Sequence, residues 1–141
     1  MNMKYFSVLL LIIITILSSC GQQGEKENKE ESRVESSEKN EYISISAQQA
    51  KHLMDTETDY IILDVRTDEE YNESHIPGAI LIPDYEIAER AEQILKKKDR
   101  LILVYCRSGR RSKNASQVLA DLGYSNVKEF GGIIDWPYGV E

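Results

Sequence analysis

Cys106-Arg107-Ser108-Gly109-Arg110-Arg111-Ser112 gathers a thiol, guanidinium groups and hydroxyls around one glycine. The thiolate is the nucleophilic form of cysteine, and neighbouring positive charge favours it over the thiol, so a pKa below the ~8.5 of a free thiol is expected for Cys106. The loop follows the apolar run Leu101 to Tyr105 and leads directly into an amphipathic stretch, which places it at a helix N-terminus. Backbone N–H groups curling around a central point, with glycine permitting the curl and a positive helix end beneath, make an anion cradle. Such a loop can activate a nucleophile and stabilise an anionic substrate or leaving group at one place. The alternative is a buried structural cysteine, since free cysteine is commonly buried. Arg107, Arg110 and Arg111 following so closely argue for the reactive thiol. Arg107 and Arg111 are the stronger candidates for holding an anion; Arg110 serves equally well as solvated surface charge.

The elements that must position this loop begin at about Tyr42. Short apolar runs at Ile61-Ile62-Leu63, Ala79-Ile80-Leu81-Ile82 and Leu101-Ile102-Leu103-Val104-Tyr105 read as buried strands. Val127 to Phe130 is a weaker strand and Tyr42-Ile43-Ser44-Ile45 an edge strand. Ser46 with Gln49, and Thr67 with Glu70, have capping-box spacing and predict two helix starts. A longer helix is expected from about Tyr85 to Lys98. Another is expected from about Arg111 to Leu122, where Ala115, Val118, Leu119 and Leu122 share a face and Gly123 supplies the stop. Alternating strands and helices imply an α/β fold, a mainly parallel sheet flanked by helices on both faces, with functional groups at the carboxyl edge. Cys106 falls at that edge. Asp64 and Arg66, near the carboxyl end of a strand, read as an ion pair or a loop brace; His75, before Ile76-Pro77-Gly78, reads as the anchor of a turn.

A chain of 141 residues with net charge −7 fits one small domain, and its acidity disfavours nucleic acid as a partner. Cys20 and Cys106 stand far apart in dissimilar surroundings, so no disulfide framework is indicated. His52 and His75 lack the spacing of a metal-ligand pair. After Lys4, the apolar run Tyr5 to Leu17 is shorter than the roughly 20 residues of a membrane span and suits an export signal. Residues 1–19 are therefore expected to be a signal peptide. Leu17-Ser18-Ser19-Cys20-Gly21 resembles the lipobox of bacterial lipoproteins, which implies lipid on Cys20 and a membrane anchor on the extracytoplasmic side. Residues 20–41, mostly Gln, Glu, Lys, Asn and Ser with Val34 as the one aliphatic residue, read as a disordered tether ahead of a domain at 42–141.

The loop at Cys106 resembles the active-site loop of rhodanese-domain sulfurtransferases. Asp64-Val65-Arg66 with Glu70-Tyr71 is similar to the family's motif after its second strand, and Ser74-His75-Ile76-Pro77-Gly78-Ala79 to its turn into the third. Gly131-Gly132-Ile133-Ile134-Asp135-Trp136 is similar to its C-terminal signature, so the likeness runs from about Tyr42 to Trp136. It implies an enzyme without metal or organic cofactor, in which Cys106 is catalytic and Arg107, Ser108, Gly109, Arg110, Arg111 and Ser112 hold the substrate; a small single domain is expected to act as a monomer. The implied reaction carries sulfur as a persulfide from thiosulfate or a similar donor to cyanide or a thiol. Cysteine phosphatases and arsenate reductases also set a Cys–Arg loop on a helix, but their loop is one residue longer and suits phosphate. A catalytically silent docking module beside a membrane partner is the reading of a different class; the complete basic loop argues against it.

Overall fold

The computed structural model describes residues 40–141. The signal, the lipidated Cys20 and nearly all of the tether expected from the sequence lie outside the described residues. Five strands alternate with four helices: β1 (Ile43–Ser44), α1 (Ala47–Thr56), β2 (Tyr60–Asp64), α2 (Asp68–Glu73), β3 (Ala79–Leu81), α3 (Ile87–Ile94), β4 (Leu101–Cys106), α4 (Arg110–Asp121) and β5 (Val127–Gly132). The sheet is parallel throughout, in the order β1-β5-β4-β2-β3, which places β4 at its centre. Parallel strands need crossover connections, and the intervening helices supply them. This is the expected α/β class.

Both predicted capping boxes form. Ser46 Oγ accepts the Gln49 N–H at 3.1 Å while Gln49 Oε1 accepts the Ser46 N–H at 2.9 Å. Thr67 and Glu70 make the same reciprocal pair at the start of α2, at 3.3 and 3.1 Å. Gly123, at φ +91°, follows α4 in the left-handed conformation that ends helices.

β4 is buried along its whole length, as its unbroken apolar sequence demands. Because side chains alternate along a strand, Ile102, Val104 and Cys106 share the face covered by α3 and α4, packing with Leu63, Ile87, Ala91, Leu95, Ala115 and Leu119. Leu101, Leu103 and Tyr105 share the other face with Ala50 of α1, Ile76, Phe130 and Trp136. The Cys106 side of the sheet is thus the α4 side.

Three elements differ from expectation. The helix read from Tyr85 to Lys98 is a 3-10 turn at Asp84–Glu86 followed by α3, which ends at Ile94. Leu95 turns into the core, and Lys98 is held at the end of α4, its carbonyl accepting the Ser125 N–H at 2.9 Å and its Nζ donating to Leu122 O at 2.7 Å. Those bonds stop the helix before the lysines. β5, read as the weak strand, is six residues long and lies between β1 and β4. β1 keeps only two residues in its ladder, although the Ile45 N–H still reaches Glu129 O at 2.8 Å.

Candidate active site

β4 delivers Cys106 to the carboxyl edge, and the chain then turns through Arg107, Ser108 and Gly109 into α4. Gly109 sits before the first helical residue at φ +97°, a conformation that side-chain-bearing residues rarely adopt. That turn aims the Gly109 N–H at Cys106 Sγ, 3.1 Å away. The sulfur therefore lies over the N-terminal end of α4, where backbone N–H groups are unpaired and the helix dipole is positive. Burial pushes the Cys106 thiol up, but the hydrogen-bond donors gathered at Ser112, Ser108 and Gly109 more than offset it, leaving the pKa below the ordinary value. The predicted direction is what the site produces.

A bulge in β5 makes room for the loop. Between Val104 and Cys106 the β4 strand advances two residues, while its partner advances three, from Glu129 to Gly132. Gly131 takes up the difference at φ +90°. Gly132 then packs so closely beneath the loop that a Cβ there would lie 2.1 Å from Arg107 O and 2.6 Å from Ser108 Cα. Both are backbone atoms, so nothing can rotate aside. Ile134 adds an N–H bond to Arg107 O at 3.3 Å. The Gly131-Gly132 pair is thus the floor of the cradle.

Arg107, Ser108 and Arg110 are exposed at the rim, whereas Gly109 and Ser112 are buried. Arg111 is placed differently from a free anion-binding arginine. Its Nη1 and Nη2 donate to Glu70 Oε2 and Oε1 at 2.7 and 2.8 Å, a bidentate pair between α4 and α2. The Arg111 bond holds the Glu70 carboxyl down at about 2, and Glu70 in turn keeps Arg111 firmly protonated. The Cys106 charge also favours protonated Arg111, so the guanidinium serves Glu70 and the sulfur site together.

The three supporting residues brace the neighbouring edge. Asp64 accepts from Arg66 Nε at 2.9 Å and from Arg66 Nη2 at 2.6 Å, with both side chains almost fully buried. Arg66 Nη2 also donates to Ser74 O at 2.6 Å, tying the end of β2 to the turn before β3. The His75 ring stacks on Tyr71 with centroids 3.9 Å apart, and the His75 backbone exchanges N–H···O bonds of 2.8 and 2.9 Å with Glu141.

One residue of the site was not read from the sequence. Glu129, only 2% exposed, points to the Cys106 side of the sheet in register with Val104. Its Oε1 accepts the Ser112 hydroxyl at 2.7 Å and the Gly131 N–H at 2.8 Å; its Oε2 accepts the Ser44 hydroxyl at 3.1 Å. The available signal was a charged residue beside Gly-Gly in a strand, which says little about which way the carboxylate faces.

The model of the Rhodanese-like domain matches residues 46–136, from the cap of α1 to Trp136. The chain belongs to the rhodanese-like domain family. Thiosulfate sulfurtransferase PspE of Escherichia coli K12 is 40% identical over 73 residues, which cover 52% of this chain and 70% of that protein. A sulfurtransferase of Allochromatium vinosum is 42% identical over 88 residues, covering 62% of this chain and 79% of its own length. Among solved structures, a rhodanese with anions from E. coli is similar at a TM-score of 0.55 and 35% identity, covering 58% of this chain and 96% of that one. These relatives of the rhodanese-like domain point to sulfur transfer in general.

Proposed function

We propose that the protein takes sulfane sulfur from thiosulfate or a persulfide and passes it to a thiophilic acceptor through a Cys106 persulfide. The observation that carries this reading is the Cys106 sulfur set over the start of α4 with the Gly109 N–H at 3.1 Å. In the loading step the thiolate attacks the outer sulfur of thiosulfate, a new S–S bond forms, and the old one breaks with its electron pair leaving on sulfite. In the unloading step cyanide or a thiolate attacks the outer sulfur, and the electron pair returns to Cys106. In the unloading step negative charge develops on the Cys106 sulfur over the N–H groups of the helix end, where fixed donors are most effective, while in the loading step it leaves with sulfite. Arg107 and Arg110 at the exposed rim attract the donor anion and the departing sulfite. That a related E. coli rhodanese was solved with anions supports an anionic donor here.

The phosphatase alternative fits less well, because four residues separate Cys106 from Arg111 and the floor at Gly132 leaves no slack for a wider loop. On the sequence Leu17-Ser18-Ser19-Cys20 after an apolar run, the domain is exported and tethered by lipid on Cys20 to the outer side of a membrane. It works there as a monomer on a small sulfur-containing anion and a thiol acceptor, with no nucleic-acid partner. The deciding experiment is the intact mass of the purified protein before and after thiosulfate. One added sulfur on Cys106, removed by cyanide, is the expected result; efficient aryl phosphate hydrolysis with no sulfur uptake would overturn the assignment.

A further inference from the structure

Ser112 has one hydroxyl proton and two anionic groups within its reach. On one side lies the Glu129 carboxylate, with Oε1 at 2.7 Å; on the other lies Cys106, whose thiolate the hydroxyl can also stabilise. The Gly109 carbonyl, at 3.0 Å, is a further and neutral acceptor. A hydroxyl donates one hydrogen bond, and an ionised acceptor forms roughly twice as strong a bond as a neutral one. The sulfur already has the Gly109 N–H at 3.1 Å and lies over the N-terminal end of α4. Glu129 has the Gly131 N–H and the Ser44 hydroxyl, and its short contact to Ser112 is the closest of the three.

We propose that Glu129 is a positioning residue for sulfur transfer, taking the Ser112 proton so that the Cys106 sulfur is held by backbone N–H groups alone. This rests on the sulfurtransferase reading, and it assigns Glu129 a part in tuning the sulfur. Other charged groups around Cys106 are Arg107, Arg110 and Arg111 on the loop and α4, Glu70 on α2 and Asp84 ahead of α3. None of them bonds the Ser112 hydroxyl. When Glu129 claims that proton, the thiolate loses one donor and keeps more of its nucleophilicity, because attacking power falls as a thiol is made more acidic. The same bond locks the first turn of α4 to the bulge, so sulfur and cradle stay in register.

The inference is tested by the pH profile of Cys106 alkylation with iodoacetamide, read on the Cys106 peptide of the full chain by mass spectrometry. This readout follows the thiolate and needs no sulfur transfer, so failure of the sulfurtransferase reading and failure of this one are separable. Glu129→Gln keeps an acceptor for Ser112 and Gly131 but is a weaker competitor, so the alkylation midpoint should fall by about half to one pH unit. Ser112→Ala alone should leave the midpoint within about 0.3 unit of wild type, and should raise it by about half a unit or more in the Glu129→Gln background. A wild-type midpoint in Glu129→Gln, or a Ser112→Ala shift as large in the native background as in the variant, would overturn the proposal. The Ser112→Ala arm decides the matter by itself should Glu129→Gln fail to fold.

Discussion

Replacing Glu70 by glutamine removes one charge from the bidentate pair that joins α2 to Arg111. In the folded protein the Glu70 carboxyl is held at about 2, against 4.5 when unpaired, chiefly by the Arg111 bond. At roughly 1.4 kcal/mol per tenfold change in proton affinity, that difference corresponds to at most about 3 kcal/mol. Solvent reaches 26% of the Glu70 side chain and 19% of Arg111, so screening brings the expected contribution to about 1–2 kcal/mol. Because the folded pKa lies below the unfolded one, the contribution is fully present above about pH 4.5 and is lost as pH falls towards about 2. Urea unfolding of wild type and Glu70→Gln, compared across pH, should give midpoints about 0.5–1 M apart near neutrality and converging in acid. A difference that is absent at neutral pH, or that stays constant down to about pH 3, would refute the coupling of Glu70 to Arg111.

Four further outcomes are expected. Cys106→Ser should abolish sulfur uptake from thiosulfate by intact mass, since a seryl oxygen is neither ionised near neutral pH nor able to carry a persulfide. Arg111→Ala should lower kcat/KM for sulfur transfer by about 10- to 1,000-fold while the fold survives, and Glu70→Gln should reproduce part of that loss. Gly132→Ala, whose new methyl would press on backbone of Arg107 and Ser108, should cost more than about 3 kcal/mol in thermal or urea unfolding. Cys20→Ala should release the protein from the membrane fraction and eliminate lipid from its N-terminal peptide.

The parts of the site carried by local sequence were legible before the fold was known. Leu101 to Cys106 is apolar enough to be a central strand, and the glycine and basic residues after it mark a turn onto the next helix. Capping boxes at Ser46 and Thr67 depend on residues three positions apart, so they too could be read directly. The Glu70–Arg111 pair joins residues 41 positions apart, and nothing in either segment announces the other. Glu70 advertised a capping role and a place in a family motif, but not its partner, and the same carboxylate meets Arg111. Glu129 was hidden for another reason: Lys128 and Glu129 are adjacent charges in a strand, and only the register with β4 and the bulge at Gly131 decides which one is buried. The early end of α3 likewise depends on Lys98 bonding to the far end of α4.

The two-residue strand β1 has a mechanical consequence. It is the first element of the described chain, and it meets the sheet at β5 beside Glu129, through the Ser44 hydroxyl and the Ile45 N–H. Tension drawn along the chain from its N-terminal side reaches the domain through β1, and so loads the residue that holds Ser112 before it loads the helices. A short parallel edge strand yields sooner than a central one, because fewer ladder bonds share the force. Peeling it away would strip one donor from the Glu129 carboxylate while leaving β4, paired on both sides, in place. The strand that carries Cys106 is thus insulated from a pull on the N-terminal side, while its buried acidic neighbour feels it first.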